Sequence, residues 1–159
     1  MENLFKFMAL MAPGLVVACA SQTPAQIATD VANLAGGVAA AAQTLRDGGM
    51  LPAQQQAQLD DAVSALQAAA TAVAKATTAT AQQSATQQAV AAFNAVTAAL
   101  AGAKGMPQNV VTVLTAAQVL LPTIEALAGL PVTASASAAS MTPDEASTIL
   151  SSEAARLHT

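Results

Sequence analysis

Alanine supplies roughly a quarter of this 159-residue chain, well above its ordinary share of a globular protein. Aromatic residues amount to only 2%, and Phe93 is the only one that follows the first 19 residues. Burying a methyl-sized group contributes about 0.8 kcal/mol, whereas a larger apolar side chain contributes about 1.5–3 kcal/mol. The chain therefore depends on helix propensity, on close approach of backbones or on a partner, and we expect a thin and marginally stable fold.

The first 19 residues have the organisation of an export signal. An apolar stretch at 7–17 follows Lys6; it has the length of a signal h-region and is too short to cross about 30 Å of hydrocarbon as a helix. The sequence Val-Val-Ala-Cys at 16–19 comes next. It resembles the lipobox of bacterial lipoproteins, in which the peptidase cuts after a small residue and the Cys thiol takes a diacylglyceryl thioether. This resemblance implies a signal peptide at 1–18, cleavage between Ala18 and Cys19, and lipid attachment at Cys19.

The resemblance also bears on location. By analogy with the enterobacterial sorting rule, Ala20 and Ser21 in place of an Asp after the cysteine favour the outer membrane, with residues 19–23 as a lipidated tether facing the periplasm. Two other interpretations remain open: an ordinary cleaved signal, and an apolar N-terminal helix in which Cys19 is a buried thiol. The abrupt change to polar sequence at Ser21 favours a signal.

Proline marks the start of four helical segments, at Pro24, Pro52, Pro107 and Pro143. Proline suits the first turn of a helix because its missing N–H would have no partner there. Apolar residues recur at spacings of three and four along each segment, as on one face of a helix. The Thr-rich run at 77–83 is a poor helix former, so we favour two helices rather than one between 52 and 103.

The pattern predicts an all-α fold, an Ala-rich helical hairpin or small bundle over 24–130 with an N-terminal signal helix. A Ser/Ala-rich linker at 131–141 and a loosely attached C-terminal helix at 142–159 complete the predicted organisation. Within the first helix, a surface of small residues at Ala32, Gly36 and Ala40 offers another helix a close approach.

Side chains suited to catalysis are few. His158, the only histidine, lies one residue from the end. Adjacent Asp60 and Asp61 point about 100° apart on a helix, and Asp144 and Glu145 are explained as charges at a helix start. We expect no enzyme, no catalytic or metal-binding residues and no cofactor. The five Lys and Arg residues are dispersed, and nucleic-acid binding requires clustered cations, so we expect no nucleic-acid partner.

Glu125 lies in the segment 110–132, which is long enough to cross a bilayer as a helix. If 110–132 crossed a bilayer, an acidic group there would be costly and functional. Thr115, Gln118 and Glu125 share one stripe, however, which is the pattern of a helix that is packed on one side and wet on the other. We favour this amphipathic bundle helix and keep membrane insertion as the alternative.

The segments 113–125 and 141–146 resemble uncharacterised Ala-rich helical proteins of alphaproteobacteria and their prophages. The likeness extends over about 107–157 and implies a phage or envelope setting, without site residues to carry over.

Three functions follow as hypotheses. The first is a non-enzymatic envelope lipoprotein, a structural or interaction module bound to membrane lipid through acylated Cys19. The second is a prophage-encoded, holin- or spanin-like lysis protein with a spanning segment at 110–132. The third is a helical oligomer whose Ala-rich seams close on self-association.

Overall fold

The computed structural model describes residues 24–132 and 141–156, and all regular structure within them is helical. This confirms the all-α fold and the small bundle. The helices are α1 (Pro24–Asp47), α2 (Ala53–Lys75), α3 (Ala79–Ala99), α4 (Gln108–Leu127) and α5 (Pro143–Arg156). The predicted signal, the tether and most of the predicted linker lie outside the described residues.

The local signals at the helix boundaries act as expected. Pro24 and Pro143 are the first residues of their helices, while Pro52 and Pro107 occupy the position before α2 and α4. The break between α2 and α3 confirms two helices in the segment 52–103. Gly49 and Gly129, with φ of 58° and 69°, follow α1 and α4 in the left-handed conformation that glycine adopts most readily.

Helix α1 is the centre of the bundle, because α2, α4 and α5 all pack against it. Helices α2 and α3 form a hairpin, and α3 touches α1 and α4 only slightly. Phe93 on α3 is 1% exposed and is the largest fully buried side chain among the described residues. The α1 apolar stripe is buried as the spacing predicts, at Ile27, Val31, Leu34, Val38, Ala42 and Leu45.

The two glycines inside α1 explain how α5 is held. A Cβ built on Gly36 would lie 2.5 Å from Cβ of Ala154, and one on Gly37 would lie 3.1 Å from Cα of Leu150. Both glycines therefore let α5 approach the α1 backbone more closely than any side chain would allow. The predicted close-packing surface is confirmed around Gly36, with α5 as its partner, whereas Ala32 at its edge is exposed.

Two expectations are wrong. The last helix is not loosely attached: α5 packs on both α1 and α4, and Ala146 and Leu150 are completely buried. Close approach at the glycines makes small side chains effective in packing, which raw hydropathy undervalues. Glu125 is not on the wet side of α4 either, since it is 2% exposed. It lies one helical turn after Leu121 and so continues the buried face.

Candidate functional site

One end of the bundle gathers the first turn of α1 with parts of three other helices. Nε2 of Gln82, near the start of α3, donates a hydrogen bond to the carbonyl oxygen of Pro24 at 2.9 Å. Gln83 lies beside Gly129, which follows α4. Because Pro24 lies five residues after Cys19 in the sequence, we call this the tether end of the bundle. Ala18 and Cys19 themselves lie outside the described residues, as does His158.

The start of α5 completes the tether end. The backbone N–H and the hydroxyl of Thr142 donate to a Glu145 carboxylate oxygen at 2.8 and 2.9 Å, and the Glu145 N–H donates back to the Thr142 hydroxyl at 3.3 Å. This reciprocal pair of interactions is a capping box. The backbone N–H of Thr142, followed by its hydroxyl, lowers the pKa of Glu145. Glu145 is thereby explained as a helix-start residue.

Asp144, at the start of α5, affects a residue of α1. Burial raises the pKa of Asp30 above its ordinary value of 3.8, and the nearby negative charge of Asp144 raises it further. One turn along, Asn33 and Ser147 connect the same two helices through a hydrogen bond at 3.5 Å. The interface between α1 and α5 therefore combines like-charge repulsion at the tether end with close glycine packing farther along.

Asp60 and Asp61 diverge as predicted. Asp60 forms an ion pair with Arg46 of α1, whereas Asp61 is exposed and lines a shallow groove between α2 and α3. The groove has a volume of about 530 Å³. Five of its seven lining residues are alanines of the two helices: Ala62, Ala65, Ala95, Ala98 and Ala99. The two carboxylates do not converge on a common point.

Glu125 borders a second open groove, between α3 and the end of α4. Its volume is about 240 Å³, and Val90, Leu130 and Pro131 give it a largely apolar wall. Glu125 itself is engaged in an interaction within the protein. The groove thus combines apolar walls with a buried carboxyl group that already has a partner.

Helix α4 is the one described helix that is long and apolar enough to cross a membrane, by length and composition. In the bundle, 44% of its most apolar window is buried, including Val113, Leu120 and Ile124. Core helices of soluble proteins have the same character, so this feature is weak evidence for insertion.

Two polar residues in the core were missed by the sequence patterns. Gln82 is 8% exposed and Thr86 is fully buried; the Thr86 hydroxyl donates to the Gln82 carbonyl at 2.8 Å. The spacing of four between them, and of three from Thr86 to Ala89, could have placed them on the buried face of α3. Their polarity made that face look interrupted.

Within residues 24–132 and 141–156, no three His, Cys, Asp or Glu side chains lie close enough to hold a metal ion together. Comparison with known proteins finds no matching family model, no matching curated protein and no matching solved structure.

Proposed function

We propose that this chain is a non-enzymatic lipoprotein of the cell envelope, whose helical bundle is held at a membrane through lipid on Cys19 and acts as a structural or interaction module. The observation that carries the proposal is the start of α1 at Pro24. The central helix of the bundle thus begins five residues after the candidate lipid-attachment site.

This short spacing limits how far the bundle can stand from its anchor. Five residues span at most about 18 Å when fully extended, which is shorter than the roughly 36 Å length of the 24-residue helix α1. A lipid on Cys19 would therefore hold the tether end close to the headgroups. Because α2, α4 and α5 all pack against α1, anchoring α1 anchors the whole bundle.

The surface of the bundle supports a scaffold or binding role. The hairpin of α2 and α3 contributes most of its buried residues to its own seam and to α1, which leaves a long outer face of mainly Ala, Gln, Ser and Thr side chains. Such a face is accessible to a protein partner while the lipid holds the tether end at the membrane.

Labelling with palmitate tests the anchor. We expect label in the wild-type protein and in Ser21→Ala, and none in Cys19→Ser; Ser21→Ala is the control for a change beside the lipidated residue. In addition, Ala18→Phe should accumulate uncleaved precursor, because the peptidase requires a small residue before the cut. Absence of label from the wild-type protein would falsify the lipoprotein proposal.

A membrane-acting lysis protein is the second candidate, and the apolar length of α4 is the observation that favours it. Insertion would require α4 to leave its packing on α1 and α5, and it would bring the Glu125 carboxyl group into hydrocarbon, which is costly. The bundle arrangement therefore favours the first proposal.

Two measurements separate the candidates. Under the lipoprotein proposal, carbonate extraction releases the Cys19→Ser protein from membranes, whereas a spanning α4 would keep it there. Induction of the intact chain should leave culture density unchanged. A sharp fall in density after induction would support the lysis function instead.

A further inference from the structure

The outer face of α2 carries a pattern that a second copy of this chain would complement. Exposed residues at spacings of four and three form one stripe on the side of α2 that points away from the core, and we call it the α2 stripe: Ala57, Asp61, Ser64, Ala68, Thr71 and Lys75. Four of the six are small and uncharged, so another helix could approach to about 8 Å between axes.

The charges of the hairpin are concentrated on this stripe. Helix α3 contains no charged residue, and Asp60 of α2 is already paired with Arg46. Asp61 and Lys75 remain, both exposed and neither in an ion pair with another described residue. Each lies seven positions from Ala68, on opposite sides of it.

This placement distinguishes between orientations of two copies. In a parallel pair of α2 helices, Asp61 would face its own copy and Lys75 would face its own copy, and both contacts would repel. In an antiparallel pair related by a two-fold axis near Ala68, each Asp61 would face a Lys75 of the other copy. Two identical surfaces that complement each other in this way form an isologous interface.

We propose that α2 pairs antiparallel with α2 of a second copy of this chain, with the two-fold axis at Ala68 and two reciprocal Asp61–Lys75 ion pairs. This deepens the proposed function by naming the partner of the bundle, and it does not depend on the chemistry at Cys19. Packing of the small side chains supplies the contact, while the ion pairs select orientation and register, which is the usual role of exposed charges at interfaces.

The pairing has a consequence for the tether. Antiparallel α2 helices put the two tether ends at opposite ends of the dimer. With short tethers, both lipids reach one bilayer when α2 lies along the membrane plane and the two-fold axis lies along the membrane normal.

Site-specific crosslinking of the full-length chain, purified in a nonionic detergent, tests the proposal. A short bismaleimide should join Ala68→Cys into a covalent dimer as the main product, because the two introduced sulfurs would lie across the axis from each other. Ala57→Cys is the matched control, since it is an exposed alanine on the same stripe. Residue 57 lies 11 positions from Ala68, so the two copies of residue 57 would be about 33 Å apart across the axis. The Ala57→Cys protein should therefore crosslink no more than the wild-type protein does. The wild-type protein measures any crosslinking through Cys19.

Charge reversal then tests the register. In the Ala68→Cys background, Asp61→Lys alone and Lys75→Asp alone should each lower the yield of dimer several-fold, and the two together should restore it. All substituted side chains are exposed, and unchanged far-UV circular dichroism would establish that the variants fold.

Two outcomes would overturn the proposal. One is equal crosslinking of the Ala68→Cys and Ala57→Cys proteins, which parallel pairing would also produce. The other is a yield of covalent dimer that the charge reversals leave unchanged. Palmitate labelling at Cys19 is independent of α2, so labelled protein without the Ala68→Cys dimer would remove the second copy and leave the lipoprotein proposal standing.

Discussion

Replacing Gly37 with alanine tests the claim that α5 is an integral part of the bundle. Gly37 is buried in the middle of α1, and a Cβ there would lie 2.6 Å from Cδ2 of Leu150 and 3.1 and 3.2 Å from its Cα and carbonyl oxygen. The Cδ2 methyl can rotate away, but the two backbone atoms move only if α5 moves. Relief therefore requires α5 to shift outward along part of its length.

The sign of the effect follows from two opposing contributions. Alanine is a better helix former than glycine by about 1 kcal/mol, which favours the variant. Overpacking a close contact costs about 1–3 kcal/mol, and the backbone contacts at Leu150 put this site in the upper part of that range. We expect Gly37→Ala to lower the free energy of unfolding by about 1–2 kcal/mol.

Urea unfolding followed by far-UV circular dichroism measures this change, since the chain contains no Trp. Ala32→Gly is the matched control, because Ala32 is exposed on the same helix and reports the propensity contribution alone, about 1 kcal/mol of destabilisation. In a double-mutant cycle, Leu150→Ala should cost less in the Gly37→Ala background than in the wild type, because the outward shift of α5 has already loosened the packing of the Leu150 side chain. A Gly37→Ala protein that is more stable than the wild type by about 1 kcal/mol, the full propensity gain, would refute the close packing of α5.

Changes at three further positions have defined outcomes in the same unfolding assay. Asp30→Asn should stabilise the protein at neutral pH, because burial and Asp144 raise the folded-state pKa of Asp30 and the ionised carboxylate therefore destabilises the fold as pH rises through that pKa. This gain in stability should vanish well below pH 3.8, where Asp30 is protonated. An equal gain at both pH values would exclude the charge as its cause. Thr142→Ala should destabilise the protein at pH values above 4.5, the usual pKa of Glu145, and progressively less as pH falls, because Thr142 lowers the pKa of Glu145 in the folded state. A destabilisation that does not depend on pH would contradict the capping box. Phe93→Ala should cost about 3–5 kcal/mol, and Phe93→Leu less than about 1.5 kcal/mol; a loss under about 1 kcal/mol for Phe93→Ala would show that the core does not depend on this ring.

Helix positions could be predicted from the sequence because the deciding interactions are local. A proline in the first turn, a glycine after the last turn and apolar residues at spacings of three and four act within a few residues of one another. The separation of α2 from α3 likewise follows from the poor helix propensity of the Thr-rich segment. The candidate lipid site at Cys19 also rests on local sequence, and it stays a prediction.

The packing partners could not be predicted in the same way, because they depend on surfaces distant in sequence. Gly36 indicated that some helix approaches α1, but the sequence did not show that this helix is α5, whose fully buried residues are only Ala146 and Leu150. Hydropathy gives Ala146 and Ala154 little weight, although a glycine opposite Ala154 allows backbone-level contact. The small size of the packing residues thus hid the strength of the interface.

Glu125 offers the sharpest test of what α4 does, and the test is best made without the lipid. In the bundle, Glu125 is buried and has a partner, and α4 packs on α1 and α5. Glu125→Leu removes the only charged residue of α4 and makes the helix a better candidate for insertion by composition.

If α4 is a bundle helix, carbonate should still release the Cys19→Ser/Glu125→Leu protein from membranes, because α4 remains covered by its neighbours. Cys19→Ser/Glu125→Gln is the control that keeps the side chain polar. If α4 spans a membrane, the carboxyl group is what opposes insertion, and its replacement by Leu should increase retention relative to Gln. Stronger retention of the Leu variant in a protein that still shows the unfolding transition of the bundle would therefore contradict the assignment of α4 to the core.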